Sequence, residues 1–247
     1  RHGVHRVLEG RVVTFTVLTA LALAVGSLVE AIPMFFNKEN VKEIASVKPY
    51  TPLEVLGRDI YMREGCYNCH SQLVRPFRYE TERYGEYSKA GEYVYDHPFQ
   101  WGSKRTGPDL LRVGGKYPSL WHVRHMKNPR STTPGSVMPQ YPHLLTSPVD
   151  VGSIGAKMRA LRAVGVPYTD GEIESAPAAI EDQARKIAAE VEAQRGPKGL
   201  ADKEIVALTA YLQRLGTDIR WKKVEPQAPV VPVAAAAAAA PAAVGSR

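Results

Sequence analysis

Cysteine is scarce in this chain, which has only Cys66 and Cys69 among its 247 residues. A structural zinc site takes four ligands, usually from two short-spaced pairs of Cys or His, and no second cysteine pair exists to complete one. A thioredoxin-like redox pair occurs near a strand–helix–strand pattern, which the flanking sequence does not contain. The scarcity of cysteine therefore leaves few chemical roles for this one pair.

Runs of basic residues are also absent, although the chain is basic overall. The 32 Lys and Arg residues against 25 Asp and Glu residues give a formal net charge of +7, and the pI is about 9.4. These charges are dispersed, whereas nucleic-acid-binding surfaces concentrate Lys and Arg in a patch or stripe. We therefore expect no nucleic-acid partner. No constellation of candidate catalytic side chains is visible, and we predict no catalytic residue.

The two cysteines belong to the sequence Cys66-Tyr67-Asn68-Cys69-His70, which has the C-x-x-C-H pattern of c-type haem attachment. In this pattern the two thiols add across two haem vinyl groups, and the following His is an axial ligand of the iron. The covalent tether allows a haem edge to remain partly exposed for electron transfer. We predict one covalent haem c held by the two cysteines, with His70 on the iron. A haem-free structural module that uses the same pair is the alternative.

A loop punctuated by proline and glycine, residues 128–139, contains our candidate for the second iron ligand, Met138. A thioether ligand raises the haem potential relative to a second imidazole, which suits an acceptor from high-potential donors. Met126 lies on the apolar face of a predicted helix, so we expect it to pack in the core. Four histidines could bind the iron in place of Met138, and His143 is the strongest of them because it follows Met138 closely. The four are His97, His122, His125 and His143.

An uncharged apolar run covers residues 12–29. Together with residues 30–32 it is long enough to span the hydrocarbon of a bilayer as a helix, and Pro33 is the expected terminator. The basic flank precedes the run, which predicts a cytoplasmic N-terminus and a periplasmic remainder at a bacterial inner membrane. We predict residues 1–36 as an N-terminal tail and single transmembrane anchor. A cleaved signal peptide and a buried soluble helix are the alternatives.

The rest of the sequence predicts a mainly α protein. Residues 37–50 are polar and typical of a stalk, and residues 51–220 contain the periodic apolar positions of amphipathic helices. We predict a domain over 51–220 with insertions at about 71–105 and 141–200. An Ala- and Pro-rich tail, 221–247, buries little and is expected to be disordered.

Five helices are predicted in this domain, the last with Asp202 as its N-cap and Gly216 as its C-cap. Thr51 and Pro52 are the residues preferred at the start of the first. The predicted helices cover residues 52–64, 118–127, 149–166, 176–194 and 200–216.

The first insertion is rich in aromatic residues and has no strong helix signal over most of its length. A long irregular segment in a compact domain usually has a function or packs on something else. We expect it to contact a partner subunit; a surface loop folded on its own aromatics is the alternative. Arg75 and Arg78 follow His70 closely and are candidates to pair with haem propionates, because guanidinium groups match carboxylates. Ordinary solvated arginines are the alternative for each.

Longer motifs extend the pattern beyond the haem-attachment sequence. They are GRDIYMREGCYNCHSQ at 57–72, RPFR at 75–78, GPDL at 107–110, WHVRHM at 121–126, MPQY at 138–141 and LRAVGVPY at 161–168. With the anchor helix, these motifs resemble the mono-haem membrane subunit of cbb3-type cytochrome c oxidase, a C-family haem–copper oxidase. The resemblance covers nearly all of residues 5–215. It implies a domain similar to class I cytochrome c, in which the first and last helices cross. In such a domain the Pro108 carbonyl would accept a hydrogen bond from the imidazole of His70, and Leu110 would pack on the haem.

The resemblance also implies partners. A haem–copper catalytic membrane subunit would reduce dioxygen, and a di-haem cytochrome c subunit or a soluble cytochrome c would deliver electrons, so that this chain is a non-catalytic electron relay. A calcium ion shared at the subunit interface is also implied, with Ser103 as the candidate ligand from this chain. The anchored cytochrome c subunit of a nitric oxide reductase is the alternative, and it should lack the 75–78 motif and the aromatic insertion.

Overall fold

The computed structural model describes residues 3–36, 41 and 44–219. The predicted tail, 221–247, lies outside the described residues, as do residues 37–40, 42 and 43 of the predicted stalk. The described part is mainly α and contains no β-strand, which confirms the predicted fold class. Its helices are α1 Val4–Glu9, α2 Val12–Phe36, α3 Pro52–Arg63, α4 Arg78–Tyr84, α5 Ser119–Lys127, α6 Pro129–Thr132, α7 Ile154–Ala163, α8 Asp170–Glu174, α9 Ala176–Ala193 and α10 Glu204–Arg214.

Helix α2 is long and apolar enough to cross a bilayer. Its segment Val12–Pro33 has a mean hydropathy of 2.3, and none of its most apolar stretch is buried. The helix continues past Pro33 to Phe36, so the prediction that Pro33 terminates it was wrong. A proline removes one backbone hydrogen bond from a helix, and here the chain completes one more turn before the helix ends.

Helix α3 begins with a capping box. The Thr51 hydroxyl accepts a hydrogen bond from the Glu54 backbone N–H at 3.4 Å, and the Glu54 carboxylate accepts one from the Thr51 backbone N–H at 2.8 Å. Pro52 occupies the first helical position, where a missing N–H costs nothing. These local interactions fix where α3 starts, so the sequence alone was enough to predict it.

Helices α3 and α10 approach each other backbone to backbone. A Cβ atom at Gly57 would lie 1.9 Å from the Ala207 carbonyl oxygen and 2.8 Å from the Tyr211 Cβ atom. Only glycine therefore permits this crossing. At the end of α3, the Arg63 guanidinium donates to both carboxylate oxygens of Glu204 at 2.6 and 2.7 Å. The crossing places the end of α3, and the haem-attachment sequence that follows, in a fixed position.

The main hydrophobic core surrounds this crossing and includes side chains from α3, α5, α7, α9 and α10. Fully or almost fully buried members are Leu53, Leu56, Ile60, Val123, Met158, Ile180, Ala184, Ile205, Leu208 and Leu212. Met126 is also buried in this core. A smaller cluster of Val74, Tyr93 and Leu111 lies under the first insertion.

The first insertion contains a helix that the sequence did not signal. Helix α4 has only seven residues and no side-chain N-cap, so its local signal is weak. Two buried ion pairs hold the segment against the domain instead, Arg58–Asp96 at 2.7 Å and Arg112–Glu92 at 2.8 Å, and a largely buried pair, Arg105–Glu80 at 2.6 Å, joins α4 to the end of the segment.

Two helix starts differ from the prediction because of tertiary contacts. Helix α7 begins at Ile154 after a short 3₁₀ turn, and α10 begins after Lys203 rather than with Asp202 as its N-cap. The Asp202 carbonyl accepts a hydrogen bond from the Val149 N–H at 2.9 Å, and the Glu204 N–H donates to the Ser147 carbonyl at 3.0 Å. This pairing of the two segments keeps both extended.

We expect Gly57→Ala to destabilise the fold, because the new methyl group would overlap the α10 backbone. Overpacking of this kind costs about 1–3 kcal/mol or more, and urea denaturation of the full chain in detergent, followed by circular dichroism, measures it. Gly171→Ala in α8 is the matched control, since a Cβ atom there meets no atom within 4 Å. An equal loss of stability in both variants would contradict the crossing.

Candidate functional site

The haem-attachment sequence forms a tight turn directly after α3. Gly65 has a φ of +69°, in the left-handed region that favours glycine, and a 3₁₀ turn, Cys66–Asn68, follows it. The Cys66 carbonyl then accepts hydrogen bonds from the backbone N–H groups of Cys69 at 3.2 Å and His70 at 2.9 Å. Both cysteines are free thiols, Cys66 half-buried and Cys69 exposed.

Burial raises the pKa of the Cys66 thiol to about 12, and the Glu64 carboxylate also acts to raise it. The thiol is therefore protonated at neutral pH. It packs against the main core, so its position is set by the surrounding side chains.

The His70 imidazole is fixed by contacts on two sides. Its Nδ1 atom lies 2.8 Å from the Pro108 carbonyl oxygen. The ring lies against Gly107, where a Cβ atom would be 2.3 Å from the His70 Cε1 atom. Burial lowers the pKa of His70, although the hydrogen bond to Pro108 partly opposes this. A neutral imidazole whose Nδ1–H donates to a carbonyl leaves Nε2 as the nitrogen that can bind a metal.

Two backbone hydrogen bonds join the turn around Pro108 to the residues next to His70. The Gly107 N–H donates to the Cys69 carbonyl at 2.9 Å, and the Leu110 N–H donates to the Ser71 carbonyl at 2.8 Å. These bonds lie on either side of the contact between His70 and Pro108. They set the distance between the imidazole and its carbonyl acceptor.

Asp109 is a site residue that sequence reasoning missed. Its buried carboxylate accepts hydrogen bonds from the Ser71 hydroxyl at 2.6 Å and the Leu73 N–H at 2.8 Å through one oxygen, and from the Leu111 N–H at 2.9 Å through the other. A buried carboxylate is costly unless it is paired or hydrogen-bonded. The available signal was the acidic residue inside the Gly-Pro-Asp-Leu motif at 107–110.

Met138 is half-buried and packs against the main core, as do Cys66 and Leu110. Its backbone N–H donates to the Ser136 hydroxyl at 3.2 Å. The loop that contains it is joined to the end of α5, because the Tyr141 N–H donates to the Met126 carbonyl at 2.8 Å. Three of the predicted haem-site side chains therefore contact one core.

The rival histidines have contacts of their own. The His143 Nε2 atom lies 3.2 Å from a Glu64 carboxylate oxygen at the surface. The His125 Nδ1 atom lies 2.6 Å from the Thr132 hydroxyl, and its ring stacks on Trp121 with 4.5 Å between centroids. His97 is half-buried within the first insertion.

His122 differs from the other histidines because it is almost fully buried on α5. Its Nε2 atom has no hydrogen-bond partner, and burial lowers its pKa to about 4. It is therefore neutral at pH 7, with an unpaired polar atom in the core.

Arg75 and Arg78 contact acidic side chains of α4. The Arg75 Nε atom lies 3.6 Å from the buried Glu80 carboxylate, and Arg78 donates to Glu82 at 2.7 Å on the surface. Their pairing with haem propionates stays a prediction.

Ser103 is exposed and follows Gly102, where a Cβ atom would lie 2.9 Å from the His70 carbonyl oxygen. The segment that contains Ser103 is therefore packed against the haem-attachment sequence. Within the described ranges, no group of three or more His, Cys, Asp or Glu side chains could hold a metal ion. The role of Ser103 as a calcium ligand stays a prediction.

A protein-family model matches most of this chain. The model of the family described as "Cytochrome C oxidase, mono-heme subunit/FixO" matches residues 5–219, which extend from the N-terminal helices to just beyond α10. This match confirms the family that the motifs predicted. None of the curated proteins matches the chain.

We expect the buried His122 to make stability depend on pH. Its pKa is lowered from 6.5 to about 4 in the folded chain, so the unfolded chain binds more protons between these values and stability rises with pH across this window. The loss at low pH is about 3 kcal/mol, because each tenfold difference in proton affinity between the two states contributes roughly 1.4 kcal/mol. The measurement is the free energy of unfolding between pH 4 and 7.

His122→Leu is the variant that isolates this effect. Replacing a buried unpaired polar group with an apolar group of similar size is close to neutral, so we expect stability at pH 7 within about 1 kcal/mol of the parent chain. The pH dependence between 4 and 6.5 should become shallower. If the pH dependence of stability is unchanged in His122→Leu, another titrating group is responsible for it.

Proposed function

The chain belongs to the family of mono-haem cytochrome c oxidase subunits, and on this premise we propose that it is the electron-relay subunit of a cbb3-type oxidase. With one haem c bound, the chain would relay electrons from a di-haem cytochrome c subunit or a soluble cytochrome c to the haem–copper subunit that reduces dioxygen to water. The chain itself would be an electron carrier and would bind no substrate.

The observation that carries this proposal is the fixed His70 imidazole. The ring lies against Gly107 and has its Nδ1 atom 2.8 Å from the Pro108 carbonyl. A metal-binding histidine usually donates its other ring N–H to a carbonyl or carboxylate, which fixes the tautomer and makes the ligand more basic. These residues therefore fit a haem whose iron is bound by His70 Nε2.

The haem supplies one-electron oxidation and reduction when it is bound, and the protein supplies attachment, orientation and electrostatics. The thiols of Cys66 and Cys69 would hold the porphyrin by thioether bonds. Cys66 is half-buried against the core and Cys69 is exposed, so one edge of the site faces the protein and the other faces solvent. An exposed edge is what transfer to a partner requires.

Met138 would be the second axial ligand. It shares the main core with Cys66 and Leu110, and its loop is joined to α5 through Tyr141. A thioether is a weak ligand that raises the haem potential. Met126, the methionine nearest in sequence, is buried in the core, which supports a packing role.

The membrane arrangement that we propose places α2 in the bilayer. Residues 1–36 would form the anchor with a cytoplasmic N-terminus, and residues 37–50 the stalk. Residues 51–220 would form the periplasmic haem domain, with insertions at about 71–105 and 141–200. A membrane subunit of an oxidase assembles with other subunits, and its apolar helix is long enough to span the bilayer.

Exposed aromatic pairs in the first insertion support a contact with the haem–copper subunit. Phe99 and Trp101 stack with 4.6 Å between centroids, and Phe77 and Tyr79 with 5.9 Å. All four side chains are at least 39% exposed, and aromatic residues are enriched at protein interfaces. Because ion pairs hold this segment to the domain, it presents a rigid surface.

Arg78 and Ser103 are the proposed partners of a haem propionate and of a calcium ion, respectively. Arg78 is paired with Glu82 at the surface, and such pairs are weak enough to exchange for a haem propionate. Ser103 would be a calcium ligand at the subunit interface, in a segment packed beside His70. Calcium takes six to eight oxygen ligands, so most of them would come from a partner subunit.

The alternatives differ in what they require. The cytochrome c subunit of a nitric oxide reductase should lack the aromatic insertion, which is present here and held by buried ion pairs. A haem-free disulfide module would join Cys66 to Cys69 and would give no haemochrome spectrum. The family match also favours the oxidase.

The test is expression of the full chain with its partners in a host that matures c-type cytochromes. We expect a pyridine haemochrome spectrum of one haem c per chain, copurification with a haem–copper subunit, and oxygen uptake with reduced cytochrome c. Cys66→Ser or Cys69→Ser should block covalent attachment while leaving the anchor helix in the membrane. A colourless mature chain would refute the proposal.

We expect Met138→Ala to leave the haem attached but to remove the thioether-to-iron charge-transfer band at the red end of the visible spectrum. The control is Met126→Leu, a volume-conserving change in the core that costs less than about 1.5 kcal/mol and should keep the band. A band that survives in Met138→Ala would assign the second ligand to another residue, with His143 the first to examine.

A further inference from the structure

We propose that Arg105 is a positioning residue for the proximal ligand: it joins helix α4 to the turn that orients His70. This inference rests on the proposed function, because it concerns the residue that would bind the haem iron. Arg105 lies two residues before Gly107, and sequence reasoning gave it no role.

The contacts of Arg105 connect separate parts of the site. Its Nε atom donates to the Ser71 hydroxyl at 2.6 Å, and its Nη2 atom donates to the Leu73 carbonyl at 2.6 Å. The same Nη2 atom is 3.5 Å from the Asp109 carboxylate. One side chain therefore contacts the segment directly after His70 and the turn that carries Pro108.

The guanidinium of Arg105 also binds helix α4. Nη1 and Nη2 donate to the two Glu80 carboxylate oxygens at 2.6 and 2.8 Å. Glu80 is on α4 and its side chain is 1% exposed. Such bidentate pairs fix geometry as well as charge, because the planar fork admits one orientation. A lysine would supply the charge without the fork.

The charges in this cluster are balanced. Burial alone would raise the pKa of Glu80, but hydrogen bonds from Arg105 and from the Arg75 backbone N–H lower it below its ordinary value. Asp109 has a fully buried side chain. Arg105 contacts both acidic side chains, and the Arg75 Nε atom lies 3.6 Å from the Glu80 carboxylate. Removing Arg105 would leave two buried carboxylates without their main cation, which is costly.

The consequence for His70 follows from the geometry of the turn. Ser71 accepts from Arg105 and donates to Asp109 at 2.6 Å, so the network fixes the segments on both sides of the His70–Pro108 contact. Without Arg105, these segments can separate and the His70 Nδ1–H loses its acceptor for part of the time. A hydrogen bond to a metal-binding side chain tunes the basicity of that ligand and the potential of its metal, so the haem potential should change as well.

The experiment measures hydrogen exchange of the His70 ring Nδ1–H by NMR in the haem-loaded full chain, labelled with ¹⁵N-histidine and held in detergent. We expect Arg105→Gln to speed this exchange about tenfold, the factor that corresponds to one lost hydrogen bond. A redox titration of the haem should show a shifted midpoint. Arg105→Lys should restore neither the exchange rate nor the midpoint of the parent chain, because lysine lacks the planar guanidinium fork.

The matched control is Arg112→Gln. Arg112 also forms a buried pair with the insertion, through Glu92, and donates to the Glu86 carbonyl at 3.1 Å. It makes none of the Arg105 contacts to Ser71, Leu73 or Asp109. We expect this variant to lose stability but to keep the His70 exchange rate and the midpoint of the parent chain.

A gentler variant covers the case in which Arg105→Gln does not fold. Ser71→Ala removes one Arg105 acceptor and one Asp109 donor from the network, and we expect a smaller increase in exchange in the same direction. Unchanged exchange in a haem-loaded, folded Ser71→Ala or Arg105→Gln chain would overturn the inference. So would equal changes in Arg105→Gln and Arg112→Gln. A parent chain that carries no haem would instead refute the proposed function on which this inference rests.

Discussion

The close approach of α3 to α10 at Gly57 is the constraint on which the rest of the domain depends. With no Cβ atom on α3, its backbone meets the Ala207 carbonyl of α10, and the core forms around this contact. The ion pair between Arg63 and Glu204 then fixes the end of α3. Because the haem-attachment sequence begins three residues after Arg63, its position follows from how the first and last helices of the domain pack.

Around His70, a network of hydrogen bonds fixes the geometry of the imidazole and the turn that carries Pro108. The Nδ1–Pro108 contact is held by two backbone hydrogen bonds, by the Asp109 carboxylate and by the fork of Arg105. A buried polar network is stable only when its members are satisfied, and it then specifies one arrangement. This rigidity suits a proposed electron carrier, since a ligand set that does not move keeps the reorganisation of the site small.

The first insertion belongs to this network rather than to a separate surface loop. Its Glu80 and Glu92 are paired with Arg105 and Arg112, and its Asp96 with Arg58 of α3. The insertion also stacks on its own aromatics, as one of the two sequence interpretations expected, while leaving several of them exposed. Buried ion pairs connect the segment that carries the exposed aromatic residues to the residues around His70. A partner bound at these aromatic residues would therefore contact a part of the chain that is joined directly to the proposed haem site.

The sequence by itself determined the family, the mainly α class, the candidate membrane helix and the start of α3, because these depend on local patterns: a long motif, an apolar run and a capping box. Its site assignments stay predictions: Cys66, Cys69 and His70 come from the C-x-x-C-H pattern, and Met138 comes from its proline- and glycine-punctuated loop. Only the tertiary structure revealed Asp109 and Arg105, the helix α4, and the late starts of α7 and α10. In each of these cases the deciding partner is distant in the sequence, and a buried charge or a backbone pairing is stabilised only once the fold brings the two groups together.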